Sequence, residues 1–321
     1  MNEYDVVVAG GGAAGLSAAL VLTRARRRVV VVDAGQPRNA PAAHMQGFLG
    51  SDGLPPSELL AAGRSEVTGY GGDLVSGTVA RITPCAQRGA HARRRFEVVL
   101  EDGATLCTRR VLVTTGLRDE VPDVPGVRER WGRDLLHCPY CHGYEVRDQP
   151  LGVLGDAADP VDQAIAHAHL VRQWSAEVVL FTNGAALTVA QREQLVARAI
   201  GVVEEPVVRL VVENDRLAGV ELDSGTVVPR AAVFVRPRFV PNDGLLVGLG
   251  CTRHDSGWVA TDATGRTSVP GVWAAGNAVN PRAQVVTAAG EGSAAAIAIN
   301  NDLVDEDLPI AVANFRLGLP V

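Results

Sequence analysis

Cys138 and Cys141 stand two residues apart in the stretch LLHCPYCHGYE, residues 135–145, with His137 before the pair and His142 after it. Two thiols at that spacing hold a metal, form an inert staple or pass electrons, and each use asks something different of the rest of the chain. A structural zinc needs about four ligands, usually two such pairs or a cysteine pair with a distant histidine pair. Here the pair is single, and His137 and His142 are too close in sequence to complete a tetrahedron easily. His167 and His169, two apart on an expected helix, face different directions. No metal is therefore assigned. Cys85, Cys107 and Cys251 stand alone, and five thiols make no disulfide framework. An inert buried pair stays open as an alternative, and the working reading is a redox disulfide. A C-x-x-C ring lowers the pKa of one thiol and cycles by thiol–disulfide exchange. His142 is placed to take and return the proton this requires, with His137 the second candidate. The plainer reading of His142 is a solvated loop histidine.

The elements around this pair point to nucleotide binding. Residues 5–33 read DVVVAGGGAAGLSAALVLTRARRRVVVVD: a β-branched strand, a glycine turn, an apolar helix, and a second strand ending in Asp33. Gly10, Gly12 and Gly15 carry the G-x-G-x-x-G spacing of a dinucleotide-binding βαβ unit. Gly10 permits the tight turn, Gly12 lets the backbone approach a pyrophosphate, and Gly15 lets helix pack on strand. The helix N-terminus offers N–H groups to the phosphates, and Asp33 can accept hydrogen bonds from a ribose diol. This fingerprint alone does not separate FAD from NAD. VLVTTGL (111–117) and GVWAAGNAV (271–279) are each, alone, a plain buried strand with a turn. Taken with the fingerprint, and in this order, they resemble the flavin-contacting segments of flavoprotein reductases with two dinucleotide domains. FAD is the expected cofactor, on Gly10, Gly12, Gly15 and Asp33, with Thr115, Gly116, Gly276, Asn277 and Gln284 along the ribityl chain and ring.

From about Val121 the chain changes character. VPDVPGV is a proline-rich crossing, and Leu151 to Val235 repeats the βαβ pattern, with a helix expected over about Val161 to Trp174. A second crossing, RPRFVPNDG (236–244), returns the chain to the first domain, whose last helix is expected over about Val285 to Asn300. The fold class is thus α/β, two Rossmann-like dinucleotide-binding domains with the second inserted in the first: 1–118 and 244–321 for FAD, 119–243 for an NAD(P)H-like domain carrying CPYC. An NADPH site there should show small residues at the fingerprint positions and a basic residue near the second strand. The turn reads GDAADPVDQA: Gly155 is in place, Ala157 holds the second position and Pro160 the third, and Asp156 and Asp159 put negative charge where a pyrophosphate would lie. The second strand ends LFTNGAAL, without arginine.

The totals suit a globular, ordered protein. A chain of 321 residues with 47% hydrophobic content suits two domains. The formal charge of −6 argues against a nucleic-acid partner, whose phosphates call for a basic stripe. No apolar run approaches the roughly 20 residues of a membrane span, and only a short polar lead precedes Val6, so the expectation is no membrane, no secretory signal and a cytoplasmic location. Every basic residue is arginine, which excludes a catalytic lysine. The cluster Arg24, Arg26, Arg27 and Arg28 reads as a solvated helix end.

With these residues in view, the chain resembles the low-molecular-weight thioredoxin reductase superfamily over essentially its whole length. It is most similar to that superfamily's dithiol oxidases, the flavoenzymes that close disulfides in gliotoxin-, holomycin- and romidepsin-type natural products. HCPYCHGYEVRDQP, GQPRNAPAAHMQGFLGSDG and AAGNAVNPRAQVVTAAGEG carry the resemblance. Thioredoxin reductases proper have an acid directly after the second cysteine, where this chain has His142, and Asp after the glycine matched by Gly276, where it has Asn277. The resemblance implies a homodimer acting on a small-molecule dithiol. A substrate thiolate attacks the outward-facing Cys138, the substrate's second thiol expels it, Cys141 lies nearer the flavin, and electrons pass through FAD to O2, giving hydrogen peroxide. The loop His44 to Gly50 would line the substrate side. Two other readings are a thioredoxin reductase-like enzyme fed by NADPH or ferredoxin, and a non-catalytic flavoprotein that binds a dithiol or senses redox state.

Overall fold

The computed structural model describes residues 3–85, 95–156 and 160–318. The chain forms two compact units: Met1–Ala40, Pro56–Arg118 and Val240–Val321 make the first, Pro41–Pro55 and Asp119–Phe239 the second. Unit 1 opens with β1 (Glu3–Ala9), α1 (Ala13–Arg24) and β2 (Val29–Asp33). The valines of both strands are almost fully buried, as suits parallel strands covered on both faces. They pair in parallel from Val6 opposite Val29 to Ala9 opposite Val32. α2 (Pro56–Gly69), β3 (Asp73–Ser76), β4 (Val79–Pro84), β5 (Phe96–Leu100), β6 (Thr105–Val113) and β7 (Leu117–Glu120) follow.

Unit 2 then runs through α3 (Val127–Arg130), β8 (Leu135–Leu136), α4 (Pro139–His142), β9 (Leu151–Leu154), α5 (Val161–Val171), β10 (Val178–Phe181), α6 (Val189–Ala197) and β11 (Ile200–Val203). An antiparallel ribbon of β12 (Val207–Glu213), β13 (Arg216–Leu222) and β14 (Val227–Pro229) precedes β15 (Ala232–Val235) and β16 (Arg238–Pro241). Its main sheet is parallel, in the order β11-β10-β9-β15-β8. Its core gathers Leu151, Val153, Ile165, Ala168, Val171 and Leu180 between sheet and α5. Thr188 closes the N-terminus of α6 as a capping box with Gln191. Pro41–Pro55 is held to this unit by Gln46 Nε2, which donates to Glu145 Oε1 at 3.2 Å, and by Pro41 lying against Gly132, where a side chain would not fit. β7 and β16, the outgoing and returning crossings, pair with each other.

The chain completes unit 1 with α7 (Gly244–Gly248), β17 (Val272–Ala274), a 3-10 turn at Gly276–Ala278 and α8 (Val285–Arg316). The unit 1 sheet runs β3-β2-β1-β6-β5-β4, with β17 against the far half of β6. α1 and α8 cross closely: a Cβ on Gly292 would stand 2.0 Å from the Ala14 carbonyl oxygen.

Two elements differ from the sequence reading. α5 ends as a helix at Val171 and reaches Trp174 only as a turn. α8 does not stop near Asn300 but continues to Arg316, through Pro309. The extension is fixed by charge. Arg110, 2% exposed on β6, bonds Asp302 (2.6 Å) and Glu306 (3.2 Å), and Arg109 beside it bonds Glu306, Asp307 and Asp5. Two buried guanidiniums would be costly alone, and the acidic turns of α8 pair them. The arginine cluster at the end of α1 is likewise not merely solvated: Arg27 donates to Asn300 Oδ1 at 2.7 Å and Arg24 to the Tyr70 hydroxyl. Among the described residues no helix is long and apolar enough to cross a membrane.

Candidate active site and cofactor cradle

The sequence that specifies α4 also sets the geometry of the cysteine pair. Pro139 at the first helical position has no N–H to lose there. One tight turn follows, in which the N–H groups of Cys141 and His142 both donate to the Cys138 carbonyl at 3.1 Å. That turn brings the two Cα atoms to 5.2 Å, and the sulfurs are bonded as a disulfide. Both cysteines are half-buried, so the bond is held by the protein without being sealed from exchange partners. The turn rests on Trp174: a Cβ on Gly143 would stand 2.8 Å from its indole, and the Tyr140 ring meets it edge-on with centroids 5.7 Å apart. Tyr140 and Tyr144 are exposed. The other three cysteines are unbridged, and burial raises the thiol pKa of Cys85 and Cys251 above the usual value.

Both candidate histidines flank the pair. Burial lowers the pKa of His142, with Glu145 opposing, so the ring is a neutral base at ordinary pH. Its Nδ1 is buried without a hydrogen-bond partner. His137 places Nδ1 3.2 Å from the carbonyl oxygen of Val235, with its ring edge-on to Phe239. His167, dismissed as a metal ligand from its spacing, is nearly buried on α5 with its ring 6.3 Å from that of His137. Among the described residues no group of three or more His, Cys, Asp or Glu is placed to hold a metal.

In unit 1 the turn from β1 to α1 is built for close approach. Gly10 has φ +111°, and a Cβ on Gly15 would stand 1.9 Å from the Gly10 carbonyl oxygen, so strand, turn and helix touch through backbone. A Cβ on Gly12 would meet nothing within 4 Å: the space over the start of α1 is open. That helix start has neither a side-chain cap nor an acid in its first turn, which leaves its N–H groups to an anion. Asp33 at the end of β2 accepts from the Gly11 N–H at 3.0 Å through Oδ1, with Arg64 3.4 Å from Oδ2. An open, uncapped, acid-free helix start beside a carboxylate fits the pyrophosphate and ribose of a dinucleotide.

Other expected contacts are more committed than their residue types suggest. Thr115 Oγ1 donates to the Asn242 carbonyl at 2.6 Å, so only its lone pairs remain for a ligand. Asn277 Nδ2 donates to the carbonyls of Asn280 (2.9 Å) and Ala283 (3.0 Å), and its Oδ1 accepts from Arg38 Nη1 at 3.3 Å. Both hydrogens of this amide are used by the backbone, so its oxygen is the atom that remains for a ligand. Gly116, φ +69°, faces open space, and Gln284 is the exposed N-cap residue of α8. Sequence reasoning did not single out Arg38 or Glu291, which accepts from the Gly276 N–H at 2.8 Å and from Asn280 Nδ2 at 2.6 Å. Both lie within the stretches GQPRN and AAGEG that carry the resemblance. In unit 2, Gly155, Asp156, Pro160, Gln163, Thr182 and Arg236 line a small pocket at the end of β9. Arg236 enters from just past the end of β15, a cation that the strand-end sequence LFTNGAAL did not foretell. Ala157 and Asp159 lie outside the described residues.

Comparison with known proteins places this geometry. A family model described as pyridine nucleotide-disulphide oxidoreductase matches residues 4–292. The chain is 31% identical over 317 residues to thioredoxin reductase sirT of Leptosphaeria maculans, covering 95% of this chain and 96% of that one. It is 30% identical over 185 residues to a probable thioredoxin reductase of Arthroderma benhamiae, covering 57% of this chain and 44% of that protein, less than half its length. The crystal structure of HlmI superposes with a TM-score of 0.93 at 61% identity, covering 98% of this chain and 97% of HlmI. The fold, the glycine cradle and the bridged cysteine pair agree with these matches, and the chain belongs to the pyridine nucleotide-disulphide oxidoreductase family as a thioredoxin reductase-like, FAD-binding disulfide oxidoreductase.

Proposed function

We propose that the protein is an FAD-dependent dithiol oxidase that closes a disulfide in a small-molecule dithiol and uses O2 as the final acceptor. In this reading residues 1–118 and 244–321 form the FAD-binding domain and 119–243 the domain carrying the redox pair. The observation that carries it is the turn after β9. Helix α5 is preceded by Pro160, which has no N–H to offer a phosphate, and Asp156 lines the space beside Gly155 where a nucleotide would bring its own negative charge. A flavoenzyme poorly furnished for NADPH draws its electrons from a thiol substrate.

A substrate thiolate attacks Cys138 Sγ, breaking the bond to Cys141, which leaves as thiolate. The substrate's second thiol then attacks the sulfur bound to Cys138 and expels it, and the product departs as a disulfide. Neutral His142 accepts a proton from the incoming thiol, with His137 on the other side of the pair as a second acceptor. Closing Cys138–Cys141 again releases two electrons and completes the cycle. Gly10, Gly12, Gly15, Asp33, Thr115, Gly116, Gly276, Asn277 and Gln284 would hold FAD, which when bound would supply the two-electron acceptor, with O2 as the final oxidant and hydrogen peroxide as its product. The balance is one dithiol and one O2 to one disulfide and one peroxide. Loop His44–Gly50 lines the substrate side, the active form is a homodimer, and the location is cytoplasmic.

Oxygen uptake with a small dithiol, with disulfide and peroxide counted separately, tests the proposal. One peroxide per disulfide without added nucleotide is expected, and strict dependence on NADPH overturns it. The opposing reading, a reductase fed by NADPH, is favoured by Arg236 beside the turn, a cation such a nucleotide could use.

A further inference from the structure

The turn that carries Gly276 and Asn277 is held at both ends by one carboxylate. β17 ends at Ala274, and Ala275 still donates its N–H to the Val113 carbonyl at 3.2 Å. Gly276 follows, buried and left-handed at φ +68°. Its N–H has no strand to pair with, and a buried N–H left without an acceptor is costly. Glu291 of α8 supplies the acceptor: Oε2 takes the Gly276 N–H at 2.8 Å, and Oε1 takes Asn280 Nδ2 at 2.6 Å. The corner around this carboxylate is packed through backbone. A Cβ on Gly276 would stand 3.1 Å from Ala14 Cβ, and one on Gly292, the residue after Glu291, 2.0 Å from the Ala14 carbonyl oxygen. Turn, start of α1 and α8 thus meet at Ala14, and the side chain of Glu291 ties the turn to α8.

Asn280 passes this restraint on. Its N–H donates to the Gly276 carbonyl at 2.9 Å, its own carbonyl accepts from Asn277 Nδ2 at 2.9 Å, and its Oδ1 accepts from the Arg282 N–H at 3.0 Å. The residue bonded to Glu291 therefore also presents one of the two carbonyls that orient the Asn277 amide. A glutamine could not replace Glu291 unchanged: its amide nitrogen would face either the Gly276 N–H or Asn280 Nδ2, donor against donor. An alkyl side chain would leave both donors without a partner. The site asks for two acceptor oxygens, and a carboxylate provides them.

We propose that Glu291 is a positioning residue for the flavin: by fixing Gly276 and Asn280 it aims the Asn277 oxygen that remains for the cofactor, and so sets how long FAD is held. This rests on Gly276 and Asn277 lining the flavin, and not on which donor reduces it. The test exchanges the bonded pair in oxidised, FAD-loaded protein. Glu291→Gln sets two amide nitrogens against each other, and Asn280→Asp sets two carboxylates against each other. Glu291→Gln together with Asn280→Asp restores the pair with its polarity reversed. The glutamine oxygen takes the Gly276 N–H, its nitrogen donates to the aspartate, and the aspartate's other oxygen takes the Arg282 N–H. Free-flavin fluorescence after dilution gives the release rate, visible circular dichroism reports the flavin's surroundings, and urea midpoints report the fold. Each single variant should release FAD about tenfold faster than wild type, and the double variant should come within about threefold of it. If one single variant does not fold, the other and the double variant carry the same comparison. Single variants with a lower urea midpoint but wild-type release and flavin dichroism overturn the proposal, since Glu291 would then brace only the fold. A double variant no better than the worse single variant overturns it as well, because the bonded pair would not be the cause. A folded Asn277→Ala that keeps FAD as wild type does overturns the assignment of this turn to the flavin, and the proposal with it, while leaving the dithiol as electron donor untouched.

Discussion

Arg38 donates to the side-chain oxygen of Asn277 at 3.3 Å, and this contact fixes which way the Asn277 amide points. Its nitrogen then faces the carbonyls of Asn280 and Ala283, two acceptors that a carboxylate could only repel. The aspartate of thioredoxin reductases proper would not fit this turn. Asn277→Asp should therefore lower stability by about 2 kcal/mol and increase FAD loss on dilution, even though it gains charge attraction to Arg38. Urea unfolding of the holoprotein, read alongside flavin fluorescence, checks both effects.

The glycine cradle separates folding from binding. Gly15→Ala puts a Cβ against the Gly10 carbonyl and should yield little folded protein. Gly12→Ala enters open space at φ −78°, which alanine accepts, so the chain should fold with near-normal far-UV circular dichroism but lose its yellow colour on purification. Flavin content per folded protein is the readout.

The two cysteines should behave differently when each is removed. Cys138→Ser and Cys141→Ser should each cut turnover by about a thousandfold or more, since the pair acts as a unit. Only Cys141→Ser, which leaves Cys138 free, should form a persistent mixed disulfide with an oxidised small thiol, seen as added mass on the Cys138 peptide.

Much of this arrangement was legible in the chain, and what escaped shares one physical cause. The fingerprint from Val6 to Asp33 is local: three glycines and two valine runs define strand, turn and helix wherever the rest of the chain goes. The CPYC turn is local too, because Pro139 and the short spacing bring the sulfurs together. α8 beyond Asn300 was missed because its stabilising partners, Arg109 and Arg110, lie almost two hundred residues away in sequence and reach it only once β6 is in place. Pro309 and the acidic run also resemble a helix end. Asn277 was recognised as a departure, but the direction of its amide depends on Arg38, Asn280 and Ala283 together. His167 could be dismissed as a metal ligand by spacing alone, yet its ring comes within 6.3 Å of that of His137 only once α5 shares a core with Leu136 and Phe234.

The lowered histidine pKa values carry a pH signature. A neutral buried histidine binds fewer protons folded than unfolded, so its contribution to stability is full above the ordinary value of about 6.5 and is lost as pH falls toward the folded value. For His167 that window runs from about 6.5 down to about 3. Its slope approaches at most about 1.4 kcal/mol per pH unit, and His142 adds a contribution of the same sign. Urea midpoints measured between pH 7 and pH 4 should fall with pH, and fall less steeply in H167M. An equally steep decline in that variant would show that His167 titrates normally.

The central claim concerns where the electrons come from, and absorbance of the bound flavin under anaerobic conditions tests it most directly. Wild-type protein is mixed with NADPH and, separately, with a small dithiol, and air is then admitted. The account predicts that the dithiol alone bleaches the flavin band, that Cys138→Ser abolishes this, and that air restores the colour with formation of hydrogen peroxide. Rapid bleaching by NADPH, with none by the dithiol, would contradict it and make the enzyme a reductase despite Pro160 and Asp156.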